Sequence, residues 1–185
     1  MSTAEEEETF ERTAKVPLVW QLTARQLIVA GNRLRDGYDA AKENMSIYAT
    51  KLPVLLLFGL AAENLVKGLL VAKGTVAPVV RDKKGSLRLN SQIKSHDLVA
   101  LCQKAGVSLS DEDREVLRNL TWAIESGKYP VPTRARSSPT DPPPMWVEWT
   151  NLDRVCAVLA RLEDELRGSG NRWILDKTEI AKLGL

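Results

Sequence analysis

Two side chains are the candidates for catalysis of proton transfer or phosphate chemistry, and the first is the only histidine. His96 opens the stretch SHDLVALCQKAG, which follows a basic loop and begins a helix-like pattern. An imidazole exchanges protons near neutral pH, so this residue can serve as a catalyst or as a ligand contact. At a helix start it can equally satisfy a free backbone N–H or pack locally, and we favour this structural role. Arg118, in the stretch LRNLTW, is the second candidate because a guanidinium stabilises phosphate charge.

A segment after the fourth predicted helix forms a second candidate site. It brings cations and flat rings into one loop, namely Lys128, Tyr129, Arg134, Arg136, Trp146 and Trp149. Cations pair with phosphates and aromatic rings stack on bases, so the mixture suits a nucleotide or an RNA end. A Tyr-Pro pair after a helix is also good turn chemistry, and we favour a solvated basic loop whose rings fold back onto the protein.

Glu63 and Lys67 stand four residues apart on the most apolar predicted helix. This spacing predicts an ion pair along one helix face. We favour a buried structural pair that fixes the helix register. The alternative is the polar floor of a ligand pocket, which Asn64 would also have to line. Asn64 lies about 100° further round the helix, and this argues against the pocket.

Composition excludes several function classes. Cys102 and Cys156 are far apart and belong to no CxxC or Cys–His cluster, so we expect no metal site and two buried, reduced thiols. The chain has no GxGxxG or Walker loop, and we expect no cofactor. The formal net charge of +2 is too small to name nucleic acid as a partner, although it divides into −5 on residues 1–11 and +7 on residues 12–185. The acidic segment can screen an anion site, but we favour a solvated tail.

The N-terminus and the apolar segments predict a location. The acidic N-terminus lacks the basic and apolar regions of a signal peptide. The apolar run Leu52–Ala62 is too short to cross a bilayer, for which about 20 residues are needed. We therefore expect a cytoplasmic protein without membrane contact.

Apolar spacing predicts about five helices and no convincing strand, and hence an all-α helical bundle. The helices are expected over residues 16–41, 52–72, 97–104, 111–127 and 150–168. Ser95 is the predicted N-cap of the third helix, and Ser110 with Asp113 resembles a capping box that opens the fourth.

The elements suggest one domain with two appendages. Residues 1–14 are predicted to be a disordered acidic arm, residues 15–168 the helical domain, and residues 169–185 a tail with a short helix. The domain contains a basic loop over residues 74–94, with a possible hairpin around Lys84-Gly85. It also contains a long loop over residues 128–149, where six prolines exclude a helix.

Three patterns in this order resemble the HEPN superfamily, a helical-bundle group named for higher eukaryotes and prokaryotes nucleotide-binding. They are GLAAENLVKGLLVAKG at residues 59–74, SHDLVALCQKAGV at residues 95–107 and LRNLTWAIESGKYPVP at residues 117–132. The resemblance covers residues 15–168 and is strongest to small bacterial members with a Gly-Arg-Tyr-Pro ending. It implies a helical bundle that forms a homodimer.

The resemblance also divides the possible functions. Many members are metal-independent ribonucleases that share an Arg followed after four to six residues by a His, which act together on the ribose and the phosphate. A motif beginning at Arg118 would need its histidine at Ala123, Ile124 or Glu125, so the motif is absent. We therefore expect a non-catalytic module that binds a nucleotide, RNA or an operon-encoded protein, in a toxin–antitoxin or phage-defence setting. The alternative is a degenerate ribonuclease that uses Arg118 with His96.

Overall fold

The computed structural model describes residues 3–40, 47–128, 150–171 and 174–182. Within them the chain forms more helical segments than the five expected, and one small two-stranded sheet. The elements in chain order are α1 (Thr3–Lys15), α2 (Pro17–Ala40), α3 (Ile47–Ala72), β1 (Val79–Arg81), β2 (Leu87–Leu89), α4 (Ser91–Lys94), α5 (Leu98–Lys104), α6 (Asp111–Lys128), α7 (Thr150–Gly168) and α8 (Lys177–Lys182). The predicted all-α helical fold is confirmed.

Helix α3 is the centre of the bundle and packs against α2, α5, α6 and α7. Many of its apolar side chains are fully buried, including Phe58, Leu65 and Leu69. By length and composition Leu52–Ala72 could cross a membrane, but most of it is buried inside the bundle. Burial against several neighbouring helices accounts for its apolar composition.

Two glycines let neighbouring helices approach α3 closely. A Cβ atom on Gly31 of α2 would lie 2.6 Å from Phe58 Cε1. A Cβ atom on Gly59 of α3 would lie 2.9 Å from both the Leu120 carbonyl oxygen and Ile124 Cγ1 of α6. Real Cβ contacts are longer than this, so the α2–α3 and α3–α6 packing depends on these two residues.

The predicted disordered arm over residues 1–14 is wrong for residues 3–14, because Thr3–Lys15 forms a helix. Glutamates in the first turn favour a helix electrostatically. Its C-terminal end is held at Ala14, which is buried and whose carbonyl accepts a hydrogen bond from Trp20 Nε1 at 3.0 Å. Lys15 donates to Glu11 one turn earlier. Composition suggested disorder, but local pairing and this anchor outweigh it.

The basic loop contains the predicted hairpin. Strands β1 and β2 are antiparallel, with Val80 opposite Arg88 and Arg81 opposite Leu87. Asp82 shapes the turn between them, since its side chain accepts from the backbone N–H groups of residues 84 and 86. Gly85 completes the turn with a φ of 82°, which is accessible to glycine without strain.

The caps of α5 and α6 differ in how well the sequence predicted them. Asp97, not Ser95, caps α5, because its carboxylate accepts from the Ala100 N–H at 3.0 Å. The capping box of α6 is present, since Ser110 and Asp113 each accept from the other's backbone N–H. Asp and Ser are comparably good N-caps, so residue type alone does not decide between Ser95 and Asp97 at α5.

The structure also bears on the predicted tail helix, the proline-rich loop and the two thiols. The predicted tail helix over residues 173–183 appears as Lys177–Lys182. The proline-rich loop lies outside the described residues, apart from Lys128 at the end of α6. The two thiols are free, but only Cys102 is fully buried, because Cys156 on α7 is half-buried.

Candidate functional site

A chain of three polar side chains crosses from the core to the surface at His96. Lys67 Nζ lies 2.6 Å from Glu63 Oε1, and His96 Nδ1 lies 2.7 Å from Glu63 Oε2. Glu63 and Lys67 are only 7% and 6% exposed. The imidazole side chain is 38% exposed. A buried ion pair thus supports a ring that reaches solvent.

The hydrogen bond to Glu63 fixes which tautomer a neutral imidazole adopts. A carboxylate that already pairs with an ammonium group is an acceptor only, so Nδ1 of His96 must donate. A neutral ring therefore carries its proton on Nδ1 and its lone pair on Nε2, whereas a protonated ring donates from both nitrogens. This carboxylate–imidazole contact is the arrangement that orients histidine bases in enzymes and histidine ligand contacts in binding sites.

Three elements position the site. The four-residue spacing of Glu63 and Lys67 places both on one face of α3. The backbone N–H of Leu98, at the start of α5, donates to Thr121 Oγ1 of α6 at 3.2 Å. Thr121 in turn donates to the Leu117 carbonyl of its own helix at 2.9 Å. The sequence predicted His96 at the start of this helix. In the structure it lies just before the Asp97 cap of α5 and outside the helix.

Asn64 does not share the face of the Glu63–Lys67 pair. Its amide donates to the Leu60 carbonyl one turn earlier at 2.7 Å. Asn64 instead lines an apolar cavity of about 230 Å³ beneath α1, together with Phe10, Trp20 and Leu89. The pair therefore has the geometry of the predicted buried structural ion pair, and His96 is what links it to the surface.

The other predicted site residues divide into described and undescribed positions. Arg118 is exposed on α6, three residues before Thr121, which holds the start of α5. Arg118 and His96 thus lie on neighbouring elements. Lys128 ends α6, but its side chain is outside what the structure describes. The same is true of the whole of Tyr129, Arg134, Arg136, Trp146 and Trp149.

A second cleft that the sequence did not indicate lies between α3, α6 and α7. It has a volume of about 210 Å³, and Leu55, Leu120 and Val155 form its apolar wall. Its polar groups are Glu112, Glu115, Asn119 and Arg154, of which Arg154 pairs with Glu112. With two carboxylates and one paired guanidinium, the cleft does not suit an anion.

Among the described side chains, no group of three or more His, Cys, Asp and Glu residues is close enough to hold a metal ion. The Glu63–His96 contact could not be predicted from the sequence because it joins residues 33 positions apart. The only signal in the sequence was a single histidine at a predicted helix start, together with an acidic and basic pair on the preceding buried helix.

No protein-family model, curated protein or solved structure matches the chain.

Proposed function

We propose that the chain is a non-catalytic, HEPN-like helical module that binds a nucleotide or RNA, with His96 as a ligand contact. The observation that carries the proposal is the support of a solvent-exposed imidazole by the buried Glu63–Lys67 pair. Burying two charges is costly and is offset only by good pairing. In its protonated form, a ring oriented at that cost can donate from Nε2 to a phosphate oxygen while Nδ1 stays bonded to Glu63.

The absence of the ribonuclease motif has a structural counterpart on α6. Of the three positions where the motif would place its histidine, Ala123 and Ile124 are fully buried in the core and Glu125 is exposed. A base at Ala123 or Ile124 would face the bundle interior, and the exposed position carries a carboxylate rather than an imidazole. This supports binding without cleavage.

A degenerate ribonuclease is the second candidate, and one observation favours it. Glu63 orients His96 as a carboxylate orients a catalytic base, and Arg118 is exposed on the adjacent helix. In this reading His96 takes the proton of the ribose 2′-hydroxyl and Arg118 stabilises the charge on the phosphate. The cleavage assay below separates the two candidates.

The test is a titration of fluorescent nucleotides and labelled RNA with wild type and His96→Ala protein. Gln103→Ala, an exposed change on α5, is the matched control. We expect His96→Ala to weaken binding and Gln103→Ala to leave it unchanged. The Glu63–Lys67 ion pair remains in the His96 variant, so the fold should persist. Circular dichroism checks that it does. Equal binding by all three proteins would refute a role for His96.

Cleavage is measured in the same series. Labelled RNA is incubated with EDTA and with wild type, His96→Ala or Arg118→Ala protein. The binding proposal predicts intact RNA throughout. Cleavage by wild type that is lost in both variants would replace it with the ribonuclease.

Partners are part of the proposal. We propose a homodimer, as the resemblance implies, and an operon-encoded protein partner if neither nucleotide nor RNA binds. Phe10, Val19, Leu34 and Val80 are large apolar side chains that remain 37–41% exposed, and a partner can cover such residues. Light scattering at micromolar concentration should give twice the chain mass of 20.5 kDa. A monomer mass would refute the dimer.

A further inference from the structure

The β1–β2 hairpin is a narrow ridge of positive charge. Residues 79–89 contain four cations, Arg81, Lys83, Lys84 and Arg88, and all four are exposed. The single acid of this segment, Asp82, is engaged by the turn and by Arg88. The ridge therefore has an excess of cationic groups that face solvent.

The register of the strands distributes these cations around the ridge. Arg81 pairs with Leu87 and Arg88 pairs with Val80, so the two arginines point to opposite faces of the ribbon. The two lysines lie in the turn at its tip. A flat membrane surface would meet only one face, whereas a flexible polyanion can pass around the tip and reach both arginines. Arginine also binds phosphate through two donors at once.

The acidic helix α1 already lies against one face of the ridge. Glu7 Oε2 is 3.2 Å from Arg81 Nη1, and the two side chains are 36% and 58% exposed. The pKa of Glu11 lies below its usual value, chiefly because Lys15 bonds to it, and Arg81 contributes through space. The carboxylate of Glu7 thus occupies a position on Arg81 that a phosphate oxygen could take.

The attachment of α1 is asymmetric. Its C-terminal end is anchored by buried Ala14 and by the bond from Trp20, and a single residue, Val16, connects it to α2. Its acidic half meets the hairpin through an exposed ion pair, a kind of contact that is weak and screened by salt. A ligand with several phosphates can displace such a contact.

We propose that the β1–β2 hairpin binds the phosphate backbone of single-stranded RNA, and that Glu7 of α1 competes with the RNA for Arg81. This assignment rests on the proposed function, because it names the surface and the internal competitor for RNA binding. It adds a ligand contact on residues other than His96.

The test compares two single charge changes in the full chain. Glu7→Gln removes the carboxylate that pairs with Arg81. Glu8→Gln removes the same charge one residue later, about 100° around the helix. The probe is a fluorescein-labelled oligouridine at low salt, followed by anisotropy. We expect Glu7→Gln to tighten binding about two- to fivefold, the range that an exposed ion pair supplies, and Glu8→Gln to have a smaller effect.

Two further variants test the ridge itself. Lys84→Ala and Arg88→Ala should each weaken binding and reduce the slope of log affinity against log salt by about one. If wild type binds RNA but these slopes do not change, the hairpin assignment fails and the proposed function stands. Equal effects of Glu7→Gln and Glu8→Gln would overturn the competition at Arg81.

Two outcomes address the choice of ligand. If neither wild type nor Glu7→Gln binds the oligouridine, both this inference and RNA binding are refuted. If a labelled polyglutamate peptide or anionic vesicles bind more tightly than the RNA, the hairpin recognises another polyanion and the assignment to RNA is overturned.

Discussion

Replacing Lys67 with Met should destabilise the fold strongly, because it leaves a buried carboxylate without its cation. Glu63 and Lys67 are both more than nine-tenths buried, and their charged atoms are 2.6 Å apart. Removing one partner of a buried pair costs about 3–5 kcal/mol. His96 still contacts Glu63 in this variant, so we expect about 3 kcal/mol, the lower end of that range. The melting temperature should fall by about 6–12 °C for a chain of this length.

The chain supplies a matched control for this change. Lys15 and Glu11 on α1 have the same four-residue spacing, at 2.5 Å, but their side chains are 56% and 37% exposed. Lys15→Met should therefore cost less than about 1 kcal/mol. Urea denaturation followed by circular dichroism measures both variants. A Lys67→Met cost as small as that of Lys15→Met would refute the buried-pair reasoning. The double variant Glu63→Leu/Lys67→Met should be more stable than Lys67→Met alone, since it removes the uncompensated charge.

Two further substitutions and one labelling experiment probe the packing, a cap and a thiol. Gly59→Ala should cost about 1–3 kcal/mol by urea denaturation, because its Cβ atom would press on the Leu120 carbonyl at 2.9 Å; a neutral result would show that α6 can move. Burial raises the pKa of the Cys102 thiol to about 12. An aromatic disulfide reagent at mildly alkaline pH should therefore label the half-buried Cys156 first and Cys102 only after unfolding. Early labelling of both thiols would contradict this. Burial raises the pKa of Asp113, but its hydrogen bonds and ion pair outweigh this and hold the pKa below its usual value. The stability it supplies is present above about pH 4 and lost at lower pH, so Asp113→Asn should be less stable than wild type at neutral pH and the gap should close in acid; a gap independent of pH would contradict the assignment.

The sequence predicted those parts of the fold that depend on local patterns. The apolar run from Leu52 to Ala72 predicted the central helix, and Lys84-Gly85 predicted the hairpin turn. The Ser110–Asp113 capping box could be predicted because both partners lie within one helical turn. The predicted N-cap of α5 at Ser95 is wrong, because spacing alone does not distinguish Ser95 from Asp97, which caps the helix.

The parts that depend on distant contacts could not be predicted. Helix α1 was missed because its anchor is a bond between Trp20 and the Ala14 backbone, and its pairing with Arg81 crosses 74 positions. The candidate site was half predicted, since the Glu63–Lys67 pair follows from helical spacing while its contact with His96 does not. The basic and aromatic segment after Lys128 lies outside the described residues and stays a prediction.

Binding of labelled single-stranded RNA by the full chain, measured at about 50 mM and about 200 mM salt, tests the proposed RNA recognition directly. We expect binding that weakens as salt rises, because phosphates are the recognised groups, and that weakens further in His96→Ala at either salt concentration. Absence of binding at the lower salt concentration would contradict the proposed recognition, and so would an affinity that is independent of both salt and His96.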